Sequence, residues 1–274
     1  VVLTYGCLYQ GGYIFAMTET ADTSVSIGGT VVTQTDQAPF LAGIVWSSNG
    51  EGDAFANVSY DIIPGIAETS TTGSSVPTYN DALNSYNTIY VNTGSYPFPS
   101  VESFHACNGG TDGACNSRNI LALYDATYSN TNYITTHYST ACDPGQGGSG
   151  GCTLASGKTN PTYYAAGRCS VPISGYTDWY LPAICEWGPA SNGSGCVSGE
   201  QNIANQLPSL VGTSCAYGAN CLIGSYWSST ISSTSPKLNT WYQAFFPAGS
   251  GIFQNTATKS DVVLGVRCVR ALTL

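Results

Sequence analysis

Eleven cysteines punctuate this chain, at positions 7, 107, 115, 142, 152, 169, 185, 196, 215, 221 and 268, and they constrain its fold more than any other feature. Cys107/Cys115, Cys142/Cys152, Cys185/Cys196 and Cys215/Cys221 are close neighbours in sequence, and each pair encloses residues rich in Gly, Asn or Ser. A zinc site needs C-x2-C knuckles or mixed Cys/His clusters, and the chain has neither. The cysteines therefore read as loop-stapling disulfides formed in an oxidising compartment. Closing such small loops stabilises a fold by roughly 2–3 kcal/mol each in the chain-entropy model. An odd count leaves one cysteine free or bonded to another chain.

The remaining composition agrees with an extracellular setting. Of 274 residues 42% are hydrophobic, enough for a sizeable core, yet only 8% are charged, against about 25% in an average soluble domain. Ser, Thr, Asn, Gly and Tyr supply the polarity instead. With seven Lys and Arg and a net charge of −9, the chain lacks the clustered cations that displace counterions from nucleic acid, which excludes that partner. A global attraction to sulfated polysaccharide or anionic lipid is disfavoured for the same reason. No run approaches the ~18–20 apolar residues of a membrane span. The chain opens directly on Val1-Val2-Leu3-Thr4-Tyr5, from which we expect that an export signal has been removed.

Periodicity points to a β-rich chain with a few short helices. Residues 11–18, 28–34 and 42–46 read as strands. So do 225–229, 240–246, 251–255 and 262–270, where alternation is clearest. Helices are predicted over 117–126, started by Ser117, over 162–169 behind Pro161, and over 200–207 before Pro208. Residues 49–115 carry weak periodicity and many turn formers, and read as a loop-rich insertion.

No catalytic constellation stands out, and the chain is read as a non-enzyme without cofactors. Gly147-Gly148-Ser149-Gly150-Gly151 matches G-x-S-x-G, but neither flank reads as the strand or helix of a nucleophile elbow. Only His105 and His137 could serve Ser149 as base, so the segment reads as a flexible loop. Those two histidines lack the convergent donors a metal site wants. Asp53, Asp112 and Asp143 lie in Gly/Asn-rich loops without a calcium-binding pattern and read as solvated carboxylates. Asp178 and Glu186 are the one acid pair in a segment that reads as structured, and a structural role is expected for them. Nineteen tyrosines and five tryptophans suit both pleated surfaces and carbohydrate or protein contact.

Four segments together form a recognisable order: Gly175-Tyr176-Thr177-Asp178-Trp179-Tyr180-Leu181-Pro182-Ala183-Ile184-Cys185-Glu186, then Tyr226-Trp227-Ser228-Ser229-Thr230, then Thr240-Trp241-Tyr242, then Val266-Arg267-Cys268-Val269-Arg270. Gly11-Gly12-Tyr13-Ile14-Phe15, Ser26-Ile27-Gly28-Gly29 and Ala165-Ala166 with Cys169 extend it. This order resembles the C-terminal domain family of the Legionella collagen-like adhesin. The resemblance covers both ends of the chain and implies one domain over residues 1–274, with loop-rich insertions at about 49–115 and 127–160. It implies an α+β, C-type-lectin-like fold: an antiparallel sheet, two or three short helices and long disulfide-stapled loops. In that fold the terminal strands lie together and a helix cysteine bridges to the last strand, which implies Cys169–Cys268. Ten cysteines are then used, and Cys7 is left free or interchain.

The resemblance also implies that Trp179 and Trp227 share a core, that Glu186 starts a helix, and that Arg267 pairs with Asp178 or Glu186. Alternation puts Val266 and Cys268 on one face with Arg270, and Arg267 on the other. The calcium triplets of true C-type lectins (Glu-Pro-Asn, Gln-Pro-Asp and Trp-Asn-Asp) are absent, so calcium-dependent sugar binding is not implied. The function implied is a secreted bacterial-surface adhesin domain that binds glycans or cell-surface polysaccharide and self-associates. A structural subunit of a homo-oligomeric extracellular filament is the alternative. Lys237, Lys259, Arg270, Trp241 and Tyr242 are the candidate ligand contacts, the cations for an anionic glycan.

Overall fold

The computed structural model describes residues 3–17, 28–38, 43–46, 62–63, 66–67, 109–128, 164–188, 195–197, 199–211, 215, 220–232, 239–246, 251–259 and 262–273; at 62–63, 66–67, 119 and 122–128 it describes the backbone alone. It is a mixed α+β structure with two antiparallel sheets and short helices.

The chain enters through a tight hairpin of β1 (Leu8–Tyr9) and β2 (Gly12–Met17), with Tyr9 opposite Gly12. The two linking residues, Gln10 (φ 46°) and Gly11 (φ 86°), are both left-handed, as a turn matching the strands' twist requires. A side chain at Gly11 would also strike Ser174. Just upstream, the Gly6 N–H and the Cys7 carbonyl both pair with Ile14. That two-to-one bulge is allowed by the positive φ of Gly6. β2 continues into β3 (Gly29–Thr33), and β3 pairs with the last strand, β9 (Val269–Ala271), giving the order β1-β2-β3-β9. The two ends of the chain thus share one sheet. After β3, Ile62–Ile63 (β4) and Ile66–Ala67 (β5) form a two-stranded ladder inside the segment expected to be loop-rich.

The second sheet is the meander β6 (Gly224–Ile231), β7 (Asn239–Phe245) and β8 (Ile252–Thr258). Residues 262–270, expected as one strand, are instead a connector between the sheets. Leu264 bridges Ile44, Val266 bridges Ala38, Gly265 bridges Tyr226, and only Val269–Ala271 joins a ladder. Residues 42–46 likewise contribute one bridge rather than a strand.

Strand alternation divides the interior in two. Ile14, Val31, Trp227, Leu264, Val266 and Cys268 belong to one buried cluster. Tyr13, Phe15, Val32, Tyr226, Phe245 and Val269 belong to the other. Sheets buried on both faces need their indole N–H groups satisfied internally. Trp46 donates to the Ser228 carbonyl, Trp179 to Ile173, Trp187 to Trp227, and Trp227 to Ile44, at 2.7–3.0 Å. Trp179 and Trp227 share the first cluster.

Helix α1 (Gly113–Tyr128) begins four residues before the expected Ser117 start. Asp112 supplies the cap, its Oδ1 accepting from the Cys115 N–H at 3.0 Å. Ser117 is inside the helix and buried, exchanging hydrogen bonds with the Leu181 backbone. Three shorter turns follow: α2 (Ala165–Cys169), α3 (Ile184–Trp187) and α4 (Ile203–Gln206), the last capped by Asn202 through the Asn205 N–H. Disulfides join Cys169 to Cys268, Cys185 to Cys196 and Cys215 to Cys221. Cys115 is also disulfide-bonded, while Cys107, Cys142 and Cys152 lie outside the described residues. Cys7 is the free cysteine among those described. These bonds indicate an oxidising environment, and no described helix is long and apolar enough to cross a membrane.

Candidate functional site

The cations expected to meet an anionic glycan are turned inward. Arg270 is 2% exposed. Its Nε and Nη2 grip both carboxylate oxygens of Asp178 at 2.7 and 2.8 Å, and Nη1 donates to Gln10 Oε1 at 2.8 Å. The guanidinium lies 4.0 Å from the Tyr176 ring centre and 5.8 Å from that of Trp179. This planar fork, flanked by aromatic faces, joins the β1–β2 turn, the 173–180 segment and the C-terminal strand. Lys259 is 4% exposed, its ammonium 5.0 Å from the centre of the Trp46 ring. Neither residue can serve as a surface contact for a polyanion, because each cation is already sheltered by aromatic rings. Lys237 lies outside the described residues.

Arg267 also departs from expectation. It pairs with neither Asp178 nor Glu186, but with Asp36, Nε to Oδ1 at 2.7 Å, and donates to the Asn220 carbonyl at 2.8 Å. Burial raises the Asp36 carboxyl above its usual range, against the opposing pull of Arg267. The Tyr226 hydroxyl donates to its second oxygen at 3.1 Å. Arg267 and Arg270 occupy opposite sides of the last segment, so each finds a different aspartate.

Glu186 sits where three elements meet. Its carboxylate accepts from its own turn's Ala183 N–H at 2.7 Å, from the Tyr180 hydroxyl at 2.9 Å, and from the Gly113 N–H that opens α1. Burial pushes its pKa up to about 7, partly offset by these donors, and the neighbouring Asp112 adds to the rise. Asp178 is held by Arg270 and Asp112 caps α1, so each of these acids has a structural partner. Asp53, Asp143, His105, His137 and Ser149 lie outside the described residues. Among the described residues no group of three or more His, Cys, Asp or Glu could hold a metal ion.

The aromatic candidates divide by strand alternation. Trp241 faces the Cys185–Cys196 disulfide and packs beside Ile184. Tyr242, one residue on, faces the other way and sits opposite Asn255 on β8. There it joins a row that the sequence did not single out. The Tyr242 and Phe253 rings are 6.4 Å apart, and those of Phe253 and Phe246 are 5.8 Å apart. All three are half-buried, and Asn255 beside them is exposed. Burial raises the Tyr242 hydroxyl pKa, while a hydrogen bond to the Asn255 side chain opposes the rise, so the phenol stays protonated at neutral pH. The row is a shelf of three rings ending in an amide, built by the β7–β8 register. The signal that could have found it is the same-face spacing of positions 242 and 246 on one strand and 253 and 255 on the next.

Comparison with protein-family models, with curated proteins and with solved structures yields no match to this chain.

Proposed function

We propose that this chain is a secreted glycan-binding adhesion module of the Legionella collagen-like adhesin C-terminal type, with a C-type-lectin-like fold. It takes sugars through ring faces rather than through cations or calcium. The order of its Trp-, Tyr- and Arg-bearing segments supports the family reading. So does the pairing of its terminal strands with a helix cysteine bonded to Cys268. Its disulfides support a place outside the cell, and the family reading supports a bacterial surface.

One observation carries the ligand class: the Tyr242–Phe253–Phe246 shelf with Asn255 at its rim. Aromatic faces accept the apolar C–H face of a pyranose, while a phenol and an amide exchange hydrogen bonds with ring hydroxyls. The molecule's net charge of −9 and its sheltered Arg270 and Lys259 argue for a neutral polysaccharide over a sulfated one. The test is a glycan array spanning neutral and sulfated polymers, followed by titration of the strongest binder. Binding to a neutral glycan is expected, insensitive to salt up to 0.5 M as about the upper range of screening. Phe253→Ala should weaken it about tenfold or more. Retention on heparin that salt abolishes and Phe253→Ala leaves unchanged would reverse the assignment.

A further inference from the structure

We propose that the outer edge of the first sheet is a self-association surface, at which two copies meet about a two-fold axis and are sealed by a disulfide between their Cys7 residues. Among the described residues β1 ends the sheet, and its neighbourhood concentrates apolar exposure. Tyr5 is 38% exposed, Leu8 56% and Tyr9 36%, all within five consecutive residues. An uncovered strand edge flanked by large apolar side chains is a template for a second strand. Cys7 falls within this run of residues, half-buried and packed in part against the first cluster, while every other described cysteine is disulfide-bonded.

Two observations select a second copy as the occupant. The first is charge. Residues 3–17 contain no Asp, Glu, Lys or Arg, in a molecule of net charge −9. Copies of this chain repel one another wherever acidic surface is apposed, and here a charge-free patch meets its own charge-free image. The second is the thiol, which needs another thiol as partner; in a two-fold contact a residue beside the axis meets its own copy. The patch spans too few residues for the ~800 Å² per partner of a stable non-covalent interface, so the reduced protein is a monomer and the bond makes the contact last. The Thr4 hydroxyl, 3.0 Å from the Cys7 sulfur, lowers the thiol pKa and enriches the attacking thiolate.

The oxidant is a low-molecular-weight disulfide. The Cys7 thiolate of one copy attacks oxidised glutathione, forming a mixed disulfide and releasing one glutathione thiolate. The second copy's Cys7 thiolate then attacks the Cys7 sulfur of that mixed disulfide and displaces the other glutathione. One disulfide is reduced to two thiols as one Cys7–Cys7 bond forms.

The experiment incubates the protein, its internal disulfides intact, with oxidised glutathione. It follows mass by light scattering and free thiol by alkylation. A species of twice 28.5 kDa without alkylatable Cys7 is expected, reverting to monomer under mild reductant. Cys7→Ser should stay monomeric. Leu8→Glu and Tyr9→Glu, which keep the thiol and are checked for native circular dichroism, should dimerise about tenfold more slowly, since each places like charges across the axis. Three outcomes would overturn the proposal. Wild type could stop as a monomeric glutathione adduct. Leu8→Glu could dimerise at the wild-type rate, showing bare thiol collision. Oxidation could yield open polymers in place of dimers. Cys7→Ser leaves the β7–β8 shelf intact, so glycan binding and dimerisation are tested separately.

Discussion

Replacing Arg270 by methionine removes the central tie of the first sheet and decides whether this arginine is structural or a ligand contact. Breaking a buried ion pair by deleting one partner typically costs about 3–5 kcal/mol. Here the side chain of Asp178 is 47% exposed, so the orphaned carboxylate is partly rehydrated, which brings the electrostatic loss to about 2 kcal/mol. Loss of the guanidinium over Tyr176 and of its bond to Gln10 adds about 1 kcal/mol. The expected total is about 3 kcal/mol, read as a fall in the urea midpoint at unchanged slope with disulfides intact. Arg270→Lys keeps the charge but loses the two-pronged grip and the flat stack, and should recover less than half of that. In a double-mutant cycle with Asp178→Asn the two changes should be non-additive by about 1–3 kcal/mol. A midpoint within about 0.5 kcal/mol of wild type, together with lost retention on a sulfated polymer, would refute the argument and return Arg270 to the surface.

Glu186 gives the fold an acid-stabilised component. Its folded pKa of about 7 lies above the ordinary 4.5. The native state therefore holds the proton more tightly, and this contribution is complete below pH 4.5 and lost as pH rises through 7. Urea midpoints should fall across that window by the equivalent of about 1–3 kcal/mol, and Glu186→Gln should flatten the fall; equal slopes in both proteins would contradict it. Removing the Cys169–Cys268 bond, which spans 99 residues, should cost about 4–5 kcal/mol in the chain-entropy model. Removing Cys215–Cys221, which spans 6, should cost about 2 kcal/mol; a reversed order in thermal denaturation would count against that model here. Gly113→Ala should destabilise by about 1–3 kcal/mol despite better helix propensity. The new methyl would meet the Glu186 carboxylate, the Ala183 nitrogen at 2.6 Å and the Leu181 carbonyl at 2.8 Å; a raised melting temperature would show that the junction yields.

What could be read in advance was whatever depends on short range. The strands Gly12–Met17 and Gly29–Thr33 and the β6–β8 meander follow from period-two alternation and turn residues, and they lie within two or three residues of their expected bounds. Alternation also put Arg270 and Val266 on one side of the last segment. What it could not supply was the partner of a long side chain. Asp36 is 231 positions from Arg267, and nothing local distinguishes it from the acids nearer the motif. The helix start was misplaced because Asp112 and Ser117 are both good caps, and only the tertiary contact of Ser117 with Leu181 takes the serine out of contention. The connector at 262–268 looked like a strand because its side chains do alternate between two cores. Alternation reports burial on two sides and does not report whether the neighbouring backbone forms one continuous ladder or single bridges to several segments.

The inward turn of the cations links the fold to the choice of ligand. A chain with seven Lys and Arg that commits Arg267, Arg270 and Lys259 to its interior has given up much of its means of attracting a polyanion. Inside, Arg267 is held by Asp36 and Arg270 by Asp178, and Lys259 lies against the Trp46 ring. Of the other described cations Arg118 is exposed and Arg168 half-buried, so the described surface carries few positive charges. Recognition on such a surface rests on shape and on ring faces. Two aromatic-bearing features answer that description among the described residues. The β7–β8 shelf is a row of adjacent, half-buried rings with an exposed amide, suited to a chain of hydroxyls. The β1 edge is apolar, is built from residues 3–17 that include no charged side chain, and carries a thiol, suited to its own copy. The two lie on different sheets, so the proposed glycan contact and the proposed twin contact do not compete for one sheet. A disulfide-linked pair then presents two shelves, and avidity strengthens a weak sugar contact without any new interaction.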